Sequence, residues 1–381
     1  MLNRRDFLVS ATPSLALGAL GLGRIEASEQ TRTPLILLFC SGGISSKEFT
    51  NPDPPSTPAS LRGPLNDTAT RTTGVHFSEV FPELAARTDR FALLRAVDAG
   101  SADHVAGAVN LVRDGSRTIS ERIGERAANG GVPYALLHHN RTWSALDSAF
   151  QRHLAFVPAW DGQKFVPPAM AATDLTERRR LLEAFDRPVD APMSRRMDRF
   201  RATAFDLLQG GGSFFSALNL PEQDRERYGK NLTGDMVLTA KRLVESGAGA
   251  VTIYHEKDSA AWDMHGNIGA GMRREAPELD HAAAMLIDEI AENRLNAVLL
   301  IATEFNRTTA INSSGGRDHN PHGSQAILAG GRIRPGVYGR TNPRGEMMDV
   351  VQQRGQLGNT ILSACGEELS PALPRVRDVL R

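Results

Sequence analysis

"KRLVESGAGAVTIYHEKDSAAWDMHGN", residues 241–267, holds the pattern that decides the fold. It opens with the end of an amphipathic helical stretch, "GDMVLTAKRLVESG" (234–247). A glycine break follows, then "AGAVTIYH" (248–255), apolar without alternation. A short continuous apolar run bounded by turn signals predicts a strand buried on both faces, as in a parallel sheet under helices. Beyond it stand Asp263 and His265, two apart, followed by Gly266. In an extended segment residues two apart point the same way, which suits a metal ligand pair as well as a polar turn.

The same grammar recurs on either side. "TPLILLFCSGG" (33–43) predicts a buried strand running into a glycine turn, and "FALLRAV" (91–97), "VPYALLHH" (132–139) and "NAVLLIAT" (296–303) predict further strands. Helical spacing marks "HFSEVFPELAARTDRF" (76–91), "SADHVAGAVNLVRDG" (101–115) and "EAPELDHAAAMLIDEIAENR" (275–294). "SQAILAGG" (324–331) and "GQLGNTILSACG" (355–366) complete the alternation. Strand, helix, strand with continuous apolar strands implies an α/β fold with a mostly parallel sheet covered on both faces. Residues from about 141 to 232 differ: they are rich in Arg and Pro, carry helical stretches such as "TERRRLLEAF" (176–185), and predict a helical insertion or cap.

The N-terminus reads as a targeting segment. "NRRDFL" (3–8) precedes a modest apolar stretch broken by Pro13 and glycines, too short and weak to span a membrane. Arg4, Arg5, Phe7 and Leu8 fit a twin-arginine export signal. A cut after Ala27 defines residues 1–27 as signal peptide and 28–381 as the mature domain. The expected partner in export is the twin-arginine translocase, and the expected location is periplasmic or extracellular. The 381 residues carry 44 acids against 44 Lys plus Arg, a balance that speaks against a coat for nucleic acid or for an anionic membrane. Only Cys40 and Cys365 are present, so no disulfide framework exists and both read as buried small hydrophobes, with a single bridge between them left open.

In open α/β sheets the functional site lies beyond the carboxyl ends of the strands. After the first strand come Ser41, Gly42, Gly43, Ser45 and Glu48; after "NAVLLIAT" come Glu304, Asn306 and Arg307. The loop beyond holds "GGRDHNPHG" (315–323) with Asp318, His319 and His322, and His104 opens a helix after "FALLRAV", where it reads as a cap or a packing residue. Carboxylates with imidazoles suit Zn, Mn, Fe or a mixed pair of ions. Singly each has a plain alternative: Glu304 as a cap or a partner of Arg307, the twin glycines as a tight turn.

The order of "LFCSGGISS", "ELAARTDRFALLRAV", "AKRLVESGAGAVTIY", "WDMHGN", "LDHAAAMLIDEI", "TEFNRT", "GGRDHNP" and "AGGRIRPGVYG" resembles the domain-of-unknown-function family 1501, a group placed with the alkaline phosphatase and sulfatase superfamily. The resemblance runs over nearly the whole mature chain. It implies a three-layer α/β/α sandwich, alkaline phosphatase-like, with a metal cluster at the carboxyl edge of the sheet and cleavage of phosphate or sulfate esters. Carried over motif by motif, it implies Asp263, His265, Glu304, Asp318 and His319 as metal ligands. Ser45 and Ser41 are then the candidate nucleophiles and Arg307 the group that steadies the anion. Divalent ions, Zn, Mn or Ca, are the expected cofactors, and a small-molecule or glycan ester the expected substrate. The chain departs from the pattern at Cys40 and Ser41, where the superfamily offers an Asp, and at Ser46 and Glu48, where a His and an Asp are usual. Asn306 stands for a Gly and Gly358 for a His. These departures keep a rival in view: an exported, non-catalytic binding or assembly protein that retains the fold and one metal. A plain α/β domain without metal is the third reading.

Overall fold

A computed structural model describes residues 32–50, 57–58, 61–114, 117–127, 132–139, 149–150, 155–167, 180, 212–256, 261–342 and 346–381. Arg32–Arg381 forms a compact unit. The proposed signal peptide lies outside the described residues, and so does "TERRRLLEAF" except for Arg180.

The central sheet has eight strands: β1 (Leu35–Cys40), β2 (Ala92–Asp98), β3 (Tyr134–Leu137), β4 (Ala250–His255), β5 (Val298–Ala302), β6 (Ser324–Gly330), β7 (Gly336–Tyr338) and β8 (Val351–Gln352). Their order is β7-β2-β6-β5-β1-β4-β3, and β8 also pairs with β2. β1 lies parallel between β4 and β5, Leu35 facing Ala250 on one side and Val298 on the other. The pairs β4–β3, β7–β2 and β8–β2 are parallel too. Only β6 runs against its neighbours. The sequence predicts a mostly parallel sheet without assigning a direction to this strand. The 303–323 connection, however, holds no helix that could carry the chain back across the sheet, and without one a strand returns antiparallel.

Residue alternation along β1 splits the core in two. Ile36, Leu38 and Cys40 pack with helices α3 (Leu232–Glu245) and α4 (Ile268–Ala291). Leu35, Leu37 and Phe39 pack with α1 (His104–Val112), α2 (Ile119–Ala127) and α5 (Gly358–Ala364). Every β1 side chain is buried, which is why the sequence shows no polar face there. The result is a three-layer α/β/α sandwich with a mostly parallel sheet, as expected. Cys40 and Cys365 are both buried and unbridged, and burial pushes both thiols far above their usual range. No described helix is long and apolar enough to cross a membrane.

The antiparallel course of β6 matters for function. Its first residue, Ser324, lies at the edge where the parallel strands end, so the loop before it is delivered to the same edge as the segments after β1, β2, β4 and β5.

Candidate metal centre

Five segments meet at that edge. Asp103 caps α1, its Oδ1 accepting the Ala106 N–H at 2.8 Å, and so fixes His104 as the first helical residue. The turn after β1 brings the Ser41 carbonyl within 3.3 Å of the Trp262 N–H, holding the segment that carries Asp263 and His265. Asn306–Arg307 pairs antiparallel with His319–Asn320 and sets Arg307 opposite His319. Asn312 ties the remaining loop: its Nδ2 donates to the His265 carbonyl and to Asp318 Oδ1, both at 3.0 Å. Its Oδ1 accepts the Ser314 and Gly316 N–H groups.

The 312–318 loop lies directly on the 264–267 segment. A Cβ on Gly316 would stand 2.1 Å from the His265 carbonyl carbon and 2.3 Å from the Gly266 nitrogen. Backbone cannot yield as a side chain does. Gly316→Ala is therefore expected to part the two segments and destabilise the protein by about 1–3 kcal/mol. Urea denaturation checks it; a midpoint equal to wild type would mean that the loops are free to separate at no cost.

Within this frame three imidazoles point their Nε2 atoms at the Asp263 carboxylate. His319 Nε2 is 3.1 Å from Asp263 Oδ1, His265 Nε2 is 3.1 Å from the same oxygen, and His104 Nε2 is 3.6 Å from Oδ2. The Nε2 atoms of His265 and His319 are 3.0 Å apart. Ligand atoms of His104, Asp263 and His319 all lie within 4.8 Å of one another, a grouping able to hold a metal ion. Each ring is held from behind through Nδ1: His104 by Glu304 Oε1 at 2.8 Å, His265 by Asp318 Oδ1 at 3.1 Å, His319 by the Ala102 carbonyl at 2.9 Å. A proton fixed on Nδ1 leaves the Nε2 lone pair for a cation, the arrangement that orients metal-binding histidines. The residues therefore fit a divalent ion by the chemistry of their donors.

Electrostatics agree with the geometry. Burial works against charge on Asp263, yet hydrogen bonds from His104, Arg307 and His319 hold its carboxyl far below the usual carboxylate range. Burial also pulls His104 down, but Asp263 and Glu304 outweigh it and raise the imidazole to about 9.

The residues singled out in the sequence fall into three positions. Asp263, His265 and His319 come together, and His104, read there as a cap or packing residue, joins them; a lone His at a helix start carries no pattern that marks it as a ligand. Glu304 and Asp318 stand one step back, as the acceptors behind His104 and His265. Glu304 is fully committed: Oε1 also accepts the Gly42 N–H at 2.7 Å and Oε2 the Thr303 hydroxyl at 2.9 Å. Ser45 is not brought into the cluster. It is buried, and its hydroxyl donates to Glu48. Ser41 is likewise tied, 2.6 Å from the Tyr254 hydroxyl. Arg307, expected as an anion clamp, is buried with its donors spent. Nε reaches the Gly43 carbonyl at 2.9 Å, Nη1 the Arg317 carbonyl at 3.1 Å and His265 Nε2 at 3.3 Å, and Nη2 the Gly42 carbonyl and Asp263. His322 pairs with Asp98 at 3.2 Å instead of joining the centre.

Residues 32–376 match the model of a family described as "Protein of unknown function (DUF1501)". The chain belongs to this family. Among solved structures, the DUF1501 chain is similar to a protein in the alkaline phosphatase superfamily from Vibrio parahaemolyticus, with a TM-score of 0.38 and 9% identity over 91% of this chain and 69% of that one. A putative sulfatase from Bacteroides thetaiotaomicron gives 0.37 at 10% identity, over 91% and 73%. A TAB5 alkaline phosphatase variant with bound Mg gives 0.39 at 14% identity, over 89% and 100%. No curated protein matches. Likenesses this faint say nothing of the chemistry, which rests on the side chains above.

Proposed function

We propose that this chain is an exported metal-dependent hydrolase of phosphate or sulfate esters. The observation that carries the reading is the convergence of three Nε2 atoms on one carboxylate, with every Nδ1 already held. His104, Asp263 and His319 would hold the ion, with His265 beside them. Imidazole nitrogens with one carboxylate suit Zn or Mn better than Ca, which prefers an all-oxygen shell. A divalent ion bound there supplies Lewis-acid polarisation of the ester oxygen and acidifies water into a nucleophile at neutral pH. Around it, Glu304 and Asp318 keep the rings in the ligating tautomer, and Arg307 holds the Asp263 carboxylate in place. The nucleophile in this reading is water, because the Ser41 and Ser45 hydroxyls are buried and engaged. Residues 1–27 are the twin-arginine signal, the translocase is the partner during export, and the substrate is a small-molecule or glycan ester.

The same engaged hydroxyls, and the lack of a spare donor on Arg307, favour a second reading: an exported binding protein that keeps one metal and performs no chemistry. One experiment separates the two. The mature chain, purified without chelator, is assayed for metal and for turnover of p-nitrophenyl phosphate and sulfate, beside the double variant His104→Ala, His319→Ala. The hydrolase is expected to retain a divalent ion, and the variant to lose both ion and turnover. Loss of several kcal/mol of Lewis-acid stabilisation is about 10³-fold in rate or more. Retained ion with no turnover of either ester class selects the binding protein. No ion in wild type, and none taken up from added Zn or Mn, sinks both.

A further inference from the structure

His255, the last residue of β4, is fully buried, and the centre described above does not use it. Its ring belongs to a chain of side-chain hydrogen bonds. The Trp262 indole Nε1–H donates to His255 Nδ1 at 3.0 Å, His255 Nε2 lies 2.9 Å from the Thr233 hydroxyl, and that hydroxyl donates to Glu278 Oε2 at 3.1 Å. The two outer bonds fix the direction of the middle one. An indole N–H only donates, so Nδ1 is bare and the ring's proton sits on Nε2. Thr233 gives its one hydrogen to Glu278, so its oxygen accepts the Nε2–H. Three bonds thus run in one sense from Trp262 to Glu278, crossing from the end of β4 to α3 and on to α4. Buried polar groups cost free energy unless each is satisfied, and here Thr233, His255 and Trp262, all at 1% exposure or less, satisfy one another.

Trp262 is the residue before Asp263, and the two side chains part. Trp262 packs in the core with α3 and α4, while Asp263 faces the three imidazoles. The peptide that joins them lies against the turn after β1: a Cβ on Gly42 would stand 2.4 Å from the Asp263 nitrogen and 2.7 Å from the Trp262 carbonyl carbon. The Trp262 N–H reaches the Ser41 carbonyl at 3.3 Å, a long bond. Backbone contacts therefore fix where this peptide sits. The indole–imidazole bond holds it from the core side and sets its rotation, on which the direction of the Asp263 carboxylate depends.

We infer that His255 is a positioning residue of the candidate metal centre: with its proton on Nε2 it holds Trp262 from the core side and so aims the Asp263 carboxylate at the ion. The inference rests on the metal reading above, but its test does not depend on turnover. Two substitutions separate the two bonds of the ring. His255→Asn sets an amide oxygen where Nδ1 stands, so the indole keeps its acceptor and Thr233 loses its partner. His255→Gln sets an amide nitrogen where Nε2 stands, so Thr233 keeps its partner and the indole loses its acceptor. Zn and Mn affinities and melting temperatures are measured for wild type, His255→Asn, His255→Gln and Trp262→Phe. His255→Asn is expected to melt below wild type, because it leaves a cavity, yet to bind the ion within about threefold of it. His255→Gln and Trp262→Phe are expected to bind about 10–100-fold more weakly. Equal affinities in His255→Asn and His255→Gln, or affinities that simply follow melting temperature across the set, would overturn the inference. Trp262→Phe leaves the imidazole in place, so it decides the point if neither variant at 255 folds: weakened binding supports the positioning, and wild-type affinity rejects it. Should wild type hold no ion, the metal reading fails by itself, and hydrogen exchange of residues 261–265 in the ion-free protein decides the positioning. Exchange about tenfold faster in His255→Gln than in His255→Asn supports it, and equal rates reject it.

Discussion

Glu48→Ala is expected to cost about 3–5 kcal/mol of stability, the largest loss of any single substitution argued from this structure. Glu48 and Arg317 form an ion pair with side-chain exposures of 1% and 0%, so neither charge has water to fall back on. The geometry is close to ideal: Arg317 Nη2 donates to Oε1 at 2.7 Å, and Nε to Oε1 and Oε2 at 3.1 and 3.0 Å. Ser45 donates to the other carboxylate oxygen, and Arg317 Nη1 reaches the carbonyls of Thr308 and Thr309. Removing the carboxylate leaves the guanidinium buried with carbonyl partners only. The consequence spreads to the candidate metal centre, because the Arg317 carbonyl accepts from Arg307 and its N–H binds the Met264 carbonyl at 3.1 Å. Urea denaturation of Glu48→Ala beside the double variant Glu48→Met, Arg317→Met tests the cause. If an orphaned charge is the cost, the double variant is the more stable of the two. If both fall equally, the packing of residues 45–48 is what matters.

That pair also shows how far the sequence could be read. The fold was legible because β1, β4 and β5 are buried on both faces, and a continuous apolar run as short as "LILLFC", closed by a glycine turn, fits a doubly covered strand far better than a helix. The direction of β6 was not legible. A strand's own residues do not encode parallel or antiparallel pairing; the connection does, and a loop without a helix returned the chain. At the site, the strand-end rule gathered Asp263, His265, Asp318, His319 and Glu304 into one region, but the division between ion-facing atom and supporting acceptor turns on about 3 Å and on which ring nitrogen is engaged. Nothing in "ATEFNRT" distinguishes a Glu304 that faces an ion from one that faces His104. Glu48 presented the same ambiguity from the other side. It stands in the motif where an Asp is usual, and only the buried position of Arg317 reveals where its charge is spent.

His104 supplies the second large effect, a dependence on pH that runs in opposite directions with and without an ion. Its imidazole is raised to about 9 in the ion-free protein, against burial, by Asp263 and Glu304. A proton and a metal ion compete for the same Nε2 lone pair. Below about pH 9 the proton must leave first, so the apparent metal affinity is expected to fall roughly tenfold per unit, about 100-fold between pH 9 and pH 7. The ion-free protein behaves inversely. The folded pKa lies above the ordinary value, so the stabilisation from protonated His104 is complete below about pH 6.5 and is lost as pH rises through 9, a change on the order of 2–3 kcal/mol. Metal titrations and EDTA-treated melting curves across pH 6–10 measure the two slopes. Glu304→Gln removes one of the two carboxylates that hold the proton, so it is expected to lower the His104 pKa and flatten both slopes near neutrality. It also weakens the acceptor behind Nδ1, so affinity at pH 10, where no proton competes, is expected to drop by about 10–100-fold. Slopes unchanged in Glu304→Gln would mean that Asp263 alone holds the His104 proton. An affinity independent of pH in wild type would remove His104 from the ligand set and leave its imidazole as no more than the start of α1.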